Sequence, residues 1–427
     1  MRNRRTAARR TARTGAAGLA VTALAVSLLA APAWADSGRA ADRRTGGAGH
    51  EAVRRAMDAV VRGGIPGITV QVRDDEGVWR SAAGVGNLRT GKPRGVADRF
   101  RVASITKTFV ATVLLQLEAE GRLDLDDTVD RWLPGLVRGH GHDGRRITVR
   151  QLLNHTSGVY DFLDDREYLD TYVFAPGFLK HRHDTRTPQE AVDVAMAHPP
   201  YFAPGAGQRY SNTNYVLAAL VLEAVSGNSY EDEVRERIVE PLGLRGTVLP
   251  GDTAHMPRPS SRAYSTLSED PAATRIYDVT VQNASQTWAE GDIISTTGDL
   301  SRFLSALLRG RLLPAPQLKA MMTTVPDPEN PSAGYGLGIS RYRTSCGTTV
   351  WGHSGGWIGS LSEAVSTVDG RHTLVYNLNG DWAMPASLVE AEFCGAEGGA
   401  PGGSRTAPPG AGTAGDRPGP PAGRRPR

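Results

Sequence analysis

Cysteine is scarce in this sequence, which contains only Cys346 and Cys394 among 427 residues. Two thiols cannot supply the ligands of a cysteine-based zinc site. Histidines do cluster in two polar stretches, residues 140–142 and 181–183, but neither stretch has a third spaced ligand. We therefore predict surface loops at both places, and we expect the protein to need neither a metal nor an organic cofactor.

A net positive charge is absent from the middle of the chain, although the whole carries a formal net charge of +4. Residues 1–35 contain six arginines and no acid, and residues 395–427 contain five arginines against two acids. Residues 36–394 are left with a net charge of −5. A chain without a net positive field over its central region is not expected to bind nucleic acid.

Long apolar runs are missing too, with one exception near the start of the chain. There an arginine-rich stretch leads into the apolar run Ala16 to Ala30 and then into Ala33-Trp34-Ala35, which is typical of a cleavage site. We interpret residues 1–35 as a signal peptide and expect a secreted protein that begins at Asp36. A membrane anchor is the alternative, but the run is short for a spanning helix, and no later stretch is apolar enough to cross a bilayer.

The predicted export gives the two cysteines a context. In an oxidising compartment they can form a disulfide, whereas in the cytosol they would be free thiols.

Strand patterns occur at both ends of the central region, with helical patterns between them. A helix is predicted from residue 50 to 64, followed by two alternating stretches that meet in a turn at Asp75-Glu76-Gly77. A strongly apolar helix is predicted from Ser104 to Gly121, and alternation returns between Gly334 and Asn379. The pattern predicts an α/β fold in which the two ends form one unit and a mainly helical region is inserted.

Composition sets the expected boundaries of this domain. Residues 36–49 are predicted to be a flexible N-terminal stretch, and residues 50–394 form the folded domain. Residues 395–427 consist mainly of glycine, proline, alanine and arginine without periodicity, which predicts a disordered tail.

One short stretch, Gly352-His353-Ser354-Gly355-Gly356, fits the G-x-S-x-G pattern of a nucleophile elbow. Such an elbow needs a helix directly after the serine, but a hairpin pattern with Asp369 follows here. The acid and histidine that could complete a triad, Asp369 and His372, share that one hairpin. We therefore predict that Ser354 lies on a strand and is not the nucleophile.

A better nucleophile is Ser104, three residues before Lys107 at the start of the apolar helix. Residues at this spacing share a helix face, so a partly desolvated lysine could take the proton of the serine hydroxyl. A capping serine beside a surface lysine would give the same pattern. Tyr210 and Asn212 add weight, because a phenol can relay a proton and an amide can hold a carbonyl group.

Together, Ser104-x-x-Lys107, Tyr210-Ser211-Asn212 and His353-Ser354-Gly355 resemble the three ordered motifs of the penicillin-recognising serine enzymes. The similarity covers about residues 51–395 and is strongest to secreted D-alanyl-D-alanine carboxypeptidases/transpeptidases, close to class C β-lactamases. It implies a β-lactamase/transpeptidase-like fold, with an antiparallel sheet flanked by helices and an inserted helical subdomain. It also implies a disulfide between Cys346 and Cys394.

The resemblance further implies the role of each motif. Ser104 attacks the carbonyl and becomes the acyl carrier, Lys107 accepts its proton, and Tyr210 passes a proton to the leaving group. Asn212 holds the amide on the acyl side of the substrate.

The third motif and its surroundings would bind the substrate. His353, Ser354 and Gly355 form the strand beside the pocket, and the N–H groups of Ser104 and Gly356 form an oxyanion hole. Trp288 lines the cleft or, equally, packs in the core.

The chain departs from these relatives where they bind the terminal carboxylate of the substrate. Ser340 stands in place of an arginine, and Gly356 stands in place of a threonine. Arg341 and Arg343 are close in sequence, but alternation puts them on the opposite strand face from Ser340. Either a bulge turns an arginine inward, or carboxylate recognition has changed.

We therefore expect a secreted, monomeric serine D-alanyl-D-alanine carboxypeptidase that acts on peptidoglycan stem peptides and binds β-lactams. The alternative is a related serine hydrolase with another substrate: an esterase, a D-amino-acid peptidase or a β-lactamase. A non-catalytic protein that binds peptidoglycan is a third interpretation, which the intact motifs disfavour.

Overall fold

The computed structural model describes residues 49–395 except 328–329, 331 and 383–386. The predicted signal peptide, nearly all of the predicted N-terminal stretch and the tail beyond residue 395 lie outside the described residues.

The described strands are mostly short, apart from those at the two ends of the domain. In chain order they are β1 (Gly67–Asp74), β2 (Gly77–Asn87), β3 (Lys92–Pro93), β4 (Phe100–Arg101), β5 (Arg138–Gly139), β6 (His142–Asp143), β7 (Tyr264–Ser265), β8 (Tyr277–Asp278), β9 (Ile294–Ser295), β10 (Val325–Pro326), β11 (Ala333–Tyr335), β12 (Ser340–Arg343), β13 (Thr349–Trp357), β14 (Ser360–Thr367) and β15 (Thr373–Leu378).

The α-helices begin and end the domain and fill its middle. They are α1 (Glu51–Arg62), α2 (Thr106–Ala119), α3 (Val129–Trp132), α4 (Val149–Leu153), α5 (Arg166–Tyr172), α6 (Gly177–His181), α7 (Pro188–Met196), α8 (Asn212–Ser226), α9 (Tyr230–Val234), α10 (Glu240–Leu242), α11 (Thr297–Leu308), α12 (Ala315–Met321) and α13 (Ser387–Cys394). No helix of the described residues is long and apolar enough to cross a membrane.

The two ends of the chain meet in one antiparallel sheet. Its strand order is β10-β11-β12-β13-β14-β15-β1-β2-β3, so β1 lies beside β15 and pairs Ile68 with Leu378. Apolar residues at alternate positions of β1 and β15 place one face of the sheet under α1 and α13 in a common core. The disulfide between Cys346 and Cys394 ties α13 to the loop between β12 and β13.

A second, larger core lies on the other face of the sheet. It joins α2, α4, α8 and α11 around side chains such as Phe109 and Phe303, whose rings stack with centroids 3.7 Å apart. Because α2 and α8 are apolar on nearly all sides, they are buried at the centre of this core. The predicted fold class, an antiparallel sheet flanked by helices with an inserted helical region, is confirmed.

One predicted strand differs from the structure. The sequence of residues 335–343 predicts a single strand, but β11 and β12 are separated by a turn at residues 336–339. Gly338 has a φ of +72° there, and a Cβ atom on it would lie 2.9 Å from the carbonyl oxygen of Lys107. The strand breaks because the chain passes against α2 at this point.

Candidate active site

Ser104 lies in a short 3₁₀ turn, Ala103–Ile105, which leads directly into α2. Its side chain is buried beside β13, and the preceding Ala103 has a φ of +50°. Strand β13 approaches this turn closely, since a Cβ atom on Gly355 would lie 2.0 Å from the carbonyl oxygen of Val102. Only glycine at position 355 lets the third motif reach the turn that carries the serine.

Lys107 points to the serine from the first turn of α2. Its Nζ lies 3.0 Å from Ser104 Oγ, 2.8 Å from Asn212 Oδ1, 2.7 Å from the Glu290 carbonyl oxygen and 2.9 Å from Glu290 Oε2. The lysine side chain is completely buried. The structure therefore joins the first two sequence motifs through one amine.

The protonation of Lys107 is governed by two opposing effects. Burial lowers the pKa of Lys107, because the charged form loses its hydration, while the carboxylate of Glu290 raises it. Burial likewise raises the pKa of Glu290, which Lys107 lowers.

Tyr210 lies next to this pair. The Lys107 amine lies 5.2 Å from the centre of its ring. The hydroxyl is buried and makes no hydrogen bond of standard geometry in the described part of the chain, although Ser104 is close enough to affect it. Burial holds the pKa of Tyr210 well above its usual value, so the phenol is protonated at neutral pH and can donate.

Asn212, at the start of α8, forms hydrogen bonds through both the oxygen and the nitrogen of its side-chain amide. Its Oδ1 accepts from Lys107, and its Nδ2 donates to Asp161 Oδ2 across 2.9 Å. Burial raises the pKa of Asp161 to about 7. In the structure the Asn212 amide thus orients Lys107, and its expected role toward the substrate amide stays a prediction.

His353, in β13, is bonded through both ring nitrogens. Nε2 lies 2.8 Å from the hydroxyl of Tyr335, and Nδ1 faces the carbonyl oxygen of Ser354. Burial lowers the pKa of His353 to about 4, so the ring is neutral at neutral pH. Ser354 lies inside β13, which continues into β14 through a hairpin and is not followed by a helix.

The pairing of β12 with β13 decides where the nearby arginines point. Ser340 pairs with Gly352, Arg341 with Trp351 and Arg343 with Thr349, in one register without a bulge. Arg341 and Arg343 therefore lie on the opposite strand face from Ser340. The bulge that could have turned an arginine inward is absent from this described pair of strands.

Trp288 and His155 pack beside the residues of the site, and whether Trp288 lines the cleft stays a prediction. Trp288 is half-buried and packs edge-on against Tyr230, with centroids 5.3 Å apart, in the turn that delivers Glu290. His155 Nδ1 accepts from the backbone N–H of Ser211 at 3.2 Å, which holds the second motif in place. The oxyanion hole of Ser104 and Gly356 stays a prediction.

Three functional candidates escape motif reasoning: Glu290, Asp161 and Tyr335. None of the three belongs to a sequence motif, and the residues around each give no sign of a catalytic role. For Glu290 a signal does exist, because it and Asp292 interrupt an apolar stretch that leads into β9.

One cluster elsewhere offers metal-ligating atoms, from His50, Asp74 and Glu392, within 4.8 Å of one another. His50 Nδ1 already pairs with Glu392 at 3.0 Å, and Glu392 also pairs with His372 at 2.6 Å. These contacts satisfy the cluster internally and connect α1 to α13.

Several known enzymes are similar to this chain in sequence and in fold. A D-stereospecific amidohydrolase from Streptomyces sp. is 53% identical, with a TM-score of 0.77, over 81% of this chain and 99% of its own. The D-amino acid amidase from Ochrobactrum anthropi SV3 is 28% identical, with a TM-score of 0.67, over 77% of this chain and 91% of its own.

Among curated proteins, "Penicillin-binding protein 4*" from Bacillus subtilis (strain 168) is 29% identical over 71% of this chain. The chain spans 58–65% of the length of the first curated relatives that it matches. The Beta-lactamase family model matches residues 50–381. The chain therefore belongs to the Beta-lactamase family, and it is a penicillin-binding-protein-like serine hydrolase.

Proposed function

We propose that this enzyme hydrolyses D-aminoacyl amides, esters or short peptides that carry a free α-amine, through an acyl-enzyme on Ser104. The observation that carries the proposal is the charge of the site, in which Lys107 contacts Glu290 directly and is linked to Asp161 through the amide of Asn212. The D-stereospecific amidohydrolase from Streptomyces sp. supports the same substrate class, because this chain is 53% identical to it over 99% of its length.

The charge of the site favours an amine over a carboxylate on the substrate. Lys107 is paired with Glu290, and the ring of His353 is neutral. Arg341 pairs with Trp351 and lies on the opposite strand face from Ser340, the residue that stands in place of the relatives' arginine. The resemblance places the terminal carboxylate of a D-alanyl-D-alanine substrate near Ser340 and Gly356, and neither of these described residues supplies a charge to offset the desolvation of that carboxylate.

The proposed chemistry starts from the hydrogen bond between Lys107 and Ser104, with Tyr210 beside them. Ser104 Oγ attacks the substrate carbonyl carbon as its proton passes to Lys107 Nζ in the free-amine form. The Tyr210 hydroxyl donates its proton to the leaving nitrogen, and Lys107 returns a proton to Tyr210 as the C–N bond breaks. Water then cleaves the Ser104 ester by the reverse sequence of proton transfers and releases the D-amino acid.

We further propose that the enzyme acts outside the cell. The N-terminal sequence supports export, and the disulfide between Cys346 and Cys394 suits an oxidising compartment. The expected monomer stays a prediction.

The test compares four substrates on the purified mature protein and on Ser104→Ala: D-phenylalanine amide, L-phenylalanine amide, a D-alanyl-D-alanine peptide and benzylpenicillin. We expect release of ammonia from the D-amide at a rate at least ten times that from the L-amide, with none from the variant. Preferential release of D-alanine from the peptide, with a lasting penicillin adduct by intact mass, would establish the carboxypeptidase instead.

A further inference from the structure

Glu290 makes two of the four polar contacts of the Lys107 amine. Its backbone carbonyl oxygen lies 2.7 Å from Nζ, and its carboxylate oxygen Oε2 lies 2.9 Å away. The lysine side chain is completely buried, and that of the glutamate is 4% exposed. A buried pair of charges this close together is screened much less than a pair on the surface.

The contacts also restrict what a protonated lysine can do. An ammonium group has three N–H donors and no lone pair, and it faces four oxygen atoms here. In that form Lys107 can donate to Ser104 but cannot accept its proton. Lys107 becomes a base only after it has lost a proton, which an adjacent carboxylate opposes.

We propose that Glu290 is a positioning residue for Lys107: its carboxylate holds the lysine as an ammonium ion in the resting site and so sets the pH above which Lys107 takes the proton of Ser104. The inference deepens the proposed function, but it concerns only the serine and its base. It therefore applies to any acyl donor that Ser104 attacks.

Other titratable groups reach this pair from several elements, and their contributions differ. Those that interact with Lys107 or Glu290 are Asp161, His155, His353, Tyr210, Tyr215, Tyr168 and Asp292. The two histidines are kept neutral by burial, and burial keeps the three tyrosines protonated. Asp161 and Asp292 have raised pKa values, but neither makes a direct hydrogen bond to Lys107 among the described contacts.

The test is the pH profile of acylation, measured as the burst of nitrophenol from p-nitrophenyl acetate. Glu290→Gln keeps the size of the side chain and removes its charge. We expect the acid limb of the profile to move to lower pH by at least one unit, because the neutral amide no longer stabilises the ammonium form. Glu290→Asp keeps the charge and should move the limb by less.

A matched control is Glu233→Gln, since Glu233 is also buried and also pairs with a basic residue, Arg237. Its profile should coincide with that of the wild type. An unshifted limb in a folded Glu290→Gln variant, or a shift to higher pH, would overturn the proposal.

If Glu290→Gln fails to fold, a measurement on the wild-type enzyme still tests the proposal. The midpoint of the acid limb should show the strong temperature dependence of amine ionisation, and the weak dependence of a carboxylic acid would overturn the proposal. Because p-nitrophenyl acetate has neither an α-amine nor a D-centre, these results stand apart from the substrate test. Inactivity toward D-amides with an intact nitrophenol burst would count against the proposed function alone.

Discussion

Tyr335 donates its hydroxyl hydrogen to Nε2 of His353 across 2.8 Å, while Nδ1 of the same ring faces the carbonyl oxygen of Ser354. A carbonyl oxygen only accepts, so Nδ1 carries the hydrogen and Nε2 accepts from the phenol. This arrangement selects one neutral tautomer of His353, which agrees with the low pKa of about 4 that burial gives it. The third motif thus presents a neutral side chain to the pocket.

Tyr335→Phe is expected to raise the pKa of His353. The phenol stabilises the neutral ring through its hydrogen bond, and its removal favours the protonated form. An NMR titration of the histidine ring protons would follow the change, with His353→Gln to assign the signal. Tyr342→Phe is a suitable control, since Tyr342 packs into the core on the other face of the sheet. An unchanged or lower pKa in Tyr335→Phe would contradict the assigned tautomer.

Tyr210→Phe is expected to impair amide hydrolysis far more than the hydrolysis of activated esters. An amine leaves only when its nitrogen receives a proton, whereas nitrophenolate leaves without one. We expect kcat/KM to fall about 10²–10⁴-fold for D-phenylalanine amide. For p-nitrophenyl acetate, the loss should stay within about tenfold, because general acid catalysis contributes little there. Equal losses on both substrates would assign Tyr210 to the attack of Ser104 instead.

Gly355→Ala is expected to separate β13 from the turn that carries Ser104. The added methyl group would lie 2.0 Å from the Val102 carbonyl oxygen and 3.2 Å from the Cβ of Ala103. Both contacts are with backbone or with atoms fixed to it, so the strand must move. A displacement of about 1 Å in a catalytic group can reduce the rate about 10²-fold. Acylation rates should be compared well below the melting temperature, with circular dichroism as the check on folding, and a rate within threefold of the wild type would rule out this close contact in solution.

The sequence alone predicts the ends of the fold and the first motif well, because both are local. Residues 51–62 form a helix with a clear apolar face, and β1 and β2 alternate around the turn at Asp75 and Glu76. The approach of Lys107 to Ser104 follows directly from their spacing on one helix.

The rest of the site depends on contacts between distant segments. Glu290 and Asp161 lie in or next to short 3₁₀ turns that carry no periodic signal, and their bonds to Lys107 and Asn212 join segments that are far apart in the sequence. The sequence leaves open whether a bulge turns Arg341 inward, because strand register depends on pairing partners. The regular pairing of Ser340 with Gly352 answers that question.

Because Glu363 is buried, we expect the free energy of unfolding to fall as the pH rises. It lies in β14 opposite Ser354, between Leu361 and Val365, which point into the core beneath α1 and α13. Burial raises the pKa of Glu363 to about 8 from an ordinary value of 4.5. The folded state therefore keeps a proton that the unfolded state loses between these two values, so the free energy of unfolding declines over that range, by up to about 5 kcal/mol.

Glu363→Gln removes this dependence, because the amide does not titrate. Relative to the wild type, the variant should gain stability progressively from pH 5 to pH 8.5, by a few kcal/mol in total. Urea unfolding curves at the two pH values measure the gain, and each protein serves as its own reference at pH 5, where the wild-type carboxyl group is protonated. Because the comparison is a difference between pH values, any constant cost of the amide in the core cancels. The same stability difference at pH 5 and pH 8.5 would show that Glu363 ionises normally and that water reaches this part of the core.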